Sequence, residues 1–128
     1  MKKLFVSIPM KGRTEEEIKA SIQKMKKIAE IYEGEELELI DSYINEEPPE
    51  KCNSGAWYLA KSIEMLAGAD VFIGIDDAYD WRGCWIENNT AERYDIKRYS
   101  VPARNVIDDY ASVYKKAHPE YEKACFPG

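Results

Sequence analysis

The chain has a single histidine, His118, and three cysteines, Cys52, Cys84 and Cys125, in 128 residues. One imidazole leaves nothing from which to build a zinc hydrolase site. Three thiols without CxxC spacing neither pair completely nor form a structural zinc site, so reduced cysteines and a cytoplasmic setting are expected. A thiol–imidazole nucleophile would have to join Cys84 to His118 from a different segment, which the spacing does not favour. No GxGxxG follows the first apolar run and no GxxxxGK[ST] occurs anywhere, so neither a dinucleotide site nor an NTP-hydrolysis site is supported. No apolar run approaches the roughly 20 residues of a membrane span. Between Ile28 and Glu50 there is no Lys or Arg, while nine acids stand there. Such a stretch repels a phosphate backbone. Basic residues elsewhere fall in short clusters, Lys24-Lys26-Lys27 and Lys97-Arg98, that read as solvated helix faces. The partner expected is therefore a small molecule, with no nucleic acid polymer and no membrane.

What is present describes one acidic domain spanning the whole chain. Eighteen Lys and Arg face 24 Asp and Glu, a formal net charge of −6, and 45% of the residues are apolar. A chain of this length can bury roughly two-thirds of its unfolded surface, enough for one core without disulfide or metal. Met1-Lys2-Lys3 before Leu4–Ile8 has the outline of a leader, but Pro9 and Lys11 end the apolar stretch early, and the segment reads as a first strand.

Thr14 with Glu17 three residues on forms a capping box, and Glu15 and Glu16 suit a helix start. Ile18, Ile22, Met25, Ala29 and Tyr32 then recur as one apolar stripe, closed by Gly34. Leu37–Ile40 reads as a second strand, and Asp41 to Gly55 as a loop of a length that often carries function. Ser54 is placed to cap a helix running to about Ala67. Val71–Ile75 is the clearest buried strand. A third helix is expected from about Cys84 to Tyr99, with Ile86, Thr90, Tyr94 and Lys97 on one side and Trp85, Asn89 and Arg93 on another. A fourth strand is expected near Arg104–Ile107 and a helix over Asp109–Lys116. The segment 118–128 reads as a docked or loose tail.

Strands alternating with helices imply βαβ units and a parallel sheet. The fold expected is a three-layer α/β, flavodoxin- or Rossmann-like arrangement with a short parallel sheet of four, or five, strands in the order 2-1-3-4. Ligands in such sheets bind beyond the strand C-termini where the order reverses, here between the first and third strands. The loops that meet there are Pro9–Arg13 and Asp76–Gly83.

Those loops carry the candidate chemistry. Glu87 is expected about three residues into the third helix, where unpaired N–H groups and the helix dipole favour a charged carboxylate; it is either a nucleophile or a stabilising first-turn acid. Asp76, Asp77 and Asp80 share one loop, and grouped carboxylates can divide acid and base roles, although Asp is also an ordinary turn residue. Tyr79, Trp81 and Trp85 offer faces on which a planar heterocycle stacks, or cap the edge of the core. Gly12 and Gly83 would let backbone approach a ligand, or serve only the turns. Lys11 and Arg13 could hold a 5′-phosphate beside a helix start. Neither a metal nor a cofactor is expected.

Phe5-Val6-Ser7-Ile8-Pro9-Met10 resembles the first-strand opening of nucleoside 2-deoxyribosyltransferase-like proteins. Asp70–Asp77, followed by Gly83-Cys84-Trp85-Ile86-Glu87 and Ala91, resembles that family's strand, loop and Gly-Thr-x-x-Glu helix start, in its Gly-Cys-x-x-Glu form. The likeness covers roughly residues 3 to 107. It implies that Glu87 attacks C1′ of a deoxyribonucleoside or its 5′-monophosphate, giving a glycosyl-enzyme intermediate that another base or water resolves. Ser7, Pro9 and Met10, with the loop residues already named, would then contact the substrate, and Asp80 would act on the departing base. The family's opening tyrosine is here Phe5, its base-contacting aspartate falls at Trp81 with Asp80 one position off, and its loop glycine is Ile8. These departures imply a divergent relative, either an enzyme or a noncatalytic module binding a nucleotide-like ligand in the same crevice. A homo-oligomer is also implied; the aromatic residues Tyr110, Tyr114, Tyr121 and Phe126 either supply its interface or pack onto their own domain.

Overall fold

The computed structural model describes residues 1–119; the expected tail beyond that point, with Cys125, Tyr121 and Phe126, lies outside the described residues. Four strands, β1 (Lys3–Val6), β2 (Glu38–Leu39), β3 (Val71–Ile75) and β4 (Lys97–Val101), form one all-parallel sheet in the order β2-β1-β3-β4. Leu4 is the register point, facing Leu39 on one side and Val71 on the other. The helices are α1 (Glu15–Glu33), α2 (Ser54–Leu66), α3 (Arg82–Arg93), α4 (Ala103–Val106) and α5 (Tyr110–Ala117).

Strand alternation divides the core between two faces. Leu4 and Val6 of β1 and Val71, Ile73 and Ile75 of β3 face α1, α4 and α5, where Ile22, Met25, Ala29 and Val106 cover them. Phe5 and Phe72 point the other way, stacked at 6.1 Å between ring centroids, and are closed over by Leu66 of α2 and Ala91 of α3. The result is a three-layer, Rossmann-like α/β fold, as the alternation of elements predicted.

The start of α1 follows its sequence closely. Thr14 Oγ1 accepts from the Glu17 N–H and the Glu17 carboxylate accepts from the Thr14 N–H, both at 3.1 Å, and Gly34 closes the helix in the left-handed region at φ 73°. The expected stripe is buried as far as Ala29, but Tyr32 is exposed and stacks on Tyr99 of β4.

Several boundaries differ from expectation. The cap of α2 is Asn53, whose Oδ1 accepts from the Ala56 N–H at 3.0 Å, and not Ser54. The third helix stops at Arg93 and not at Tyr99: Asp95 adopts φ 58° and the Ile96 N–H returns to the Ala91 carbonyl at 2.9 Å. The fourth strand is Lys97–Val101, while the residues expected to form it lie at α4. The β4 strand is an edge whose side chains are largely exposed, so its charged sequence lacks the apolar run that marks a buried strand.

Candidate functional site

Where β1 and β3 lie side by side, an open cleft of about 740 Å³ sits over their C-terminal ends. This is the point at which the strand order reverses. Its walls come from Ile8–Lys11 after β1, Ser42 after β2, the first half of α2, the segment Asp80–Cys84 entering α3, and Ala117 and His118 at the end of α5. Lys11 and Arg82 bring basic side chains to the lining, Asp80 and Glu87 carboxyl groups.

Glu87 is only 8% exposed, yet lines this cleft. Because α3 begins at Arg82, Glu87 is its sixth residue and stands beyond the first turn. The expectation of a carboxylate charged by a helix start is therefore corrected. Burial dominates instead, pushing the Glu87 carboxyl up from 4.5 to about 7, while hydrogen bonding from Ser7 and Ser62 pulls the other way. The Ser7 hydroxyl donates to Glu87 Oε1 at 2.6 Å. Cys84, Glu87 and Ala91 form the buried side of α3, at spacings of three and four, whereas Ile86 and Tyr94 of the expected stripe are exposed. Burial also raises the Cys84 thiol, with the Glu87 charge adding to the effect, so a thiolate lowered by the helix start is not what forms here.

Asp80 is fixed from two directions. Tyr114 Oη donates to its Oδ2 at 2.8 Å, and His118 Nε2 lies 2.7 Å from its carbonyl oxygen. Trp81 lines the cleft but is 6% exposed, its Nε1–H given to Tyr110 Oη at 3.1 Å and its ring edge-on to Tyr114 and His118. It thus joins the cleft wall to α5. Lys11 Nζ donates to the Ala117 carbonyl at 3.3 Å, so the end of α5 touches both loops.

Of the residues the sequence considered, Pro9, Met10, Lys11, Asp80, Trp81, Gly83, Cys84 and Glu87 lie on the cleft wall, and Ser7 stands directly behind Glu87. Gly12, Arg13, Asp76, Asp77, Tyr79 and Trp85 are not on that wall. Arg13 is turned inward, donating to Pro9 O at 3.0 Å, Glu17 O at 3.3 Å and Ser21 Oγ at 2.7 Å, so it braces the β1–α1 loop where a phosphate ligand was expected. Gly12 takes φ 74° to make the turn and faces Lys116 of α5. Asp76 and Asp77 are exposed. Tyr79 is 73% exposed with its ring against Trp85, also outside the cleft.

The contribution of α2 was missed. Asn53, Ala56, Tyr58, Leu59 and Ser62 line the cleft opposite the β3–α3 segment. The available signal was the spacing Leu59–Ser62–Leu66, which places a hydroxyl on an otherwise apolar helix side. Ser42 was also missed. It is 4% exposed, and its hydroxyl has no hydrogen-bond partner among the described residues.

Among the described residues no group of three His, Cys, Asp or Glu is placed to hold a metal ion, Cys52 and Cys84 are unpaired thiols, and no helix is long and apolar enough to cross a membrane. No family model matches the chain, and neither a curated protein nor a solved structure does.

Proposed function

We propose that the protein acts on the N-glycosidic bond of a (deoxy)nucleoside or nucleoside 5′-monophosphate, by hydrolysis or base exchange, with Glu87 as nucleophile. The observation that carries this reading is the placement of one buried carboxyl, hydrogen-bonded by Ser7, on the wall of an open cleft at the sheet's reversal point. The resemblance of the Gly83–Glu87 segment to the deoxyribosyltransferase-like helix start supports the same assignment.

In this mechanism a Glu87 oxygen bonds to C1′ as the C1′–N bond breaks, and the electron pair leaves with the base, which takes up a proton. Water then attacks C1′, the ester bond to Glu87 breaks, the sugar keeps the hydroxyl and one proton is released. In exchange, the ring nitrogen of a second base replaces water. Asp80 is the second carboxylate on the wall and would hold the departing base, while Tyr58 and the apolar side of α2 offer it a surface. An assembly of several copies belongs to this reading only through the family resemblance.

A noncatalytic module that binds a nucleotide-like ligand is the second reading, and one observation favours it. A carboxyl raised to about 7 is substantially uncharged near neutral pH, which weakens it as a nucleophile. Incubation with a panel of deoxynucleosides, ribonucleosides and their 5′-monophosphates, followed by chromatography of free base, separates the two. The enzyme reading expects base release by wild type and none by Glu87→Ala. A ligand that raises Tm equally in both proteins and is recovered intact would establish the binding module instead.

A further inference from the structure

Ser7 and Glu87 are separated by 80 residues of sequence and meet through the sheet. Ser7 continues β1 by one residue, its N–H donating to the Ile73 carbonyl at 2.9 Å, which fixes the backbone from which the side chain projects. Alternation then turns Ser7 to the same face as Phe5, toward α2 and α3. Phe5 cannot serve Glu87: its ring is stacked on Phe72 and has no polar atom. Across the strand pair, β3 carries Gly74. A Cβ there would come within 3.0 Å of the Phe72 ring and 3.7 Å of Ser7 Cβ, so the missing side chain leaves room for both. Ser7 is itself 2% exposed and is not part of the cleft lining, which keeps its hydroxyl from solvent and from direct contact with a ligand.

We propose that Ser7 is a positioning residue of this site, its hydroxyl holding Glu87 Oε1 from behind the cleft so that Oε2 is the oxygen presented to C1′. The inference deepens the N-glycosidic reading and rests on it for the chemistry. Its geometric part, the coupling of Ser7 to Glu87, can be tested without turnover. A hydroxyl donating to the carboxylate favours the ionised form, so its loss moves the titration of Glu87 upward. It also frees the carboxyl to rotate away from the attacking geometry, which acts on the chemical step and not on substrate binding.

The test uses the whole chain carrying carbon-13 in the glutamate carboxyls, with the Glu87 resonance assigned by its disappearance in Glu87→Gln. In Ser7→Ala the Glu87 midpoint is expected to move up, and in Ser7→Thr to return toward wild type. With a turned-over nucleoside, Ser7→Ala lowers kcat by about 10-fold to 100-fold with KM within about twofold, and moves the acid limb of the pH profile upward. Should Ser7→Ala not fold, Ser7→Cys fills the position with a somewhat larger group and a weaker donor, and is expected to move the midpoint in the same direction. A midpoint unchanged in the folded variant overturns the inference, whatever the activity. A midpoint that moves while wild type releases base from no member of the panel upholds the coupling and overturns the glycosidic reading.

Discussion

The Tyr114 hydroxyl donates to Asp80 Oδ2 at 2.8 Å, joining the last described helix to the loop that carries the cleft's second carboxylate. Removing the hydroxyl as Tyr114→Phe keeps the ring that packs on Trp81 and His118. The bond is partly solvent-exposed, so the expected stability loss is about 1 kcal/mol or less. If Asp80 handles the departing base, base release falls by more than that loss of stability explains. Thermal melts and single-substrate kinetics on the same samples check this. Unchanged kinetics would remove Asp80 from the mechanism.

Glu87 makes stability depend on pH in a direction opposite to that of a salt-bridged acid. Its native carboxyl binds a proton more readily than the ordinary group at 4.5, so stability falls as pH rises from there and levels off above about 7. Glu87→Gln keeps an oxygen to accept from Ser7 and does not ionise. The variant is expected to gain on wild type between pH 5 and 8, by at most about 3 kcal/mol. Melting curves across that range that run parallel would show that burial does not raise this carboxyl. On the proposed N-glycosidic reading, turnover should rise over the same interval as Glu87 ionises.

At the opposite end of the sheet, Glu33 Oε2 accepts from Lys97 Nζ at 2.6 Å and from Tyr99 Oη at 2.8 Å, with Lys2 Nζ 3.5 Å from Oε1. The Lys97 bond, and then that of Tyr99, holds the Glu33 carboxyl below its ordinary range. Its stabilisation is therefore present above the ordinary value of 4.5 and lost as pH falls through the lowered one. Glu33→Gln is expected to lower Tm by a few degrees at pH 7. The difference should vanish in acid, and a constant gap down to pH 3 would count against the ion pair as its source.

Gly74→Ala would place a methyl group 3.0 Å from the Phe72 ring, which is fully buried and stacked on Phe5. Overpacking of this kind costs about 1–3 kcal/mol. Denaturant unfolding measures it. A neutral result would mean that the two rings can slide together without loss.

Local signals were legible where one segment supplied its own partners. Thr14 and Glu17 cap each other within one turn, and Val71–Ile75 is apolar throughout because both of its faces are covered. Strand 97–101 was not legible. Its first two residues are Lys97 and Arg98, and what makes it a strand is the ladder to β3, a contact between distant segments. Val106 and Ile107 suggested a strand because they are apolar, yet they are buried around α4 against α1.

The sequence by itself determined the alternation of strands and helices, and with it a parallel sheet and the end of that sheet at which a ligand would enter, since periodicity is a property of short stretches of chain and parallel neighbours require crossovers. Only the tertiary structure decided the state and surroundings of Glu87. Starting α3 at Arg82 moves that carboxyl out of the helix-start field, packing of α2 and α3 over the Phe5–Phe72 face buries it, and Ser7 reaches it from β1. Desolvation depends on everything packed around a group, and no stretch of sequence encodes that alone.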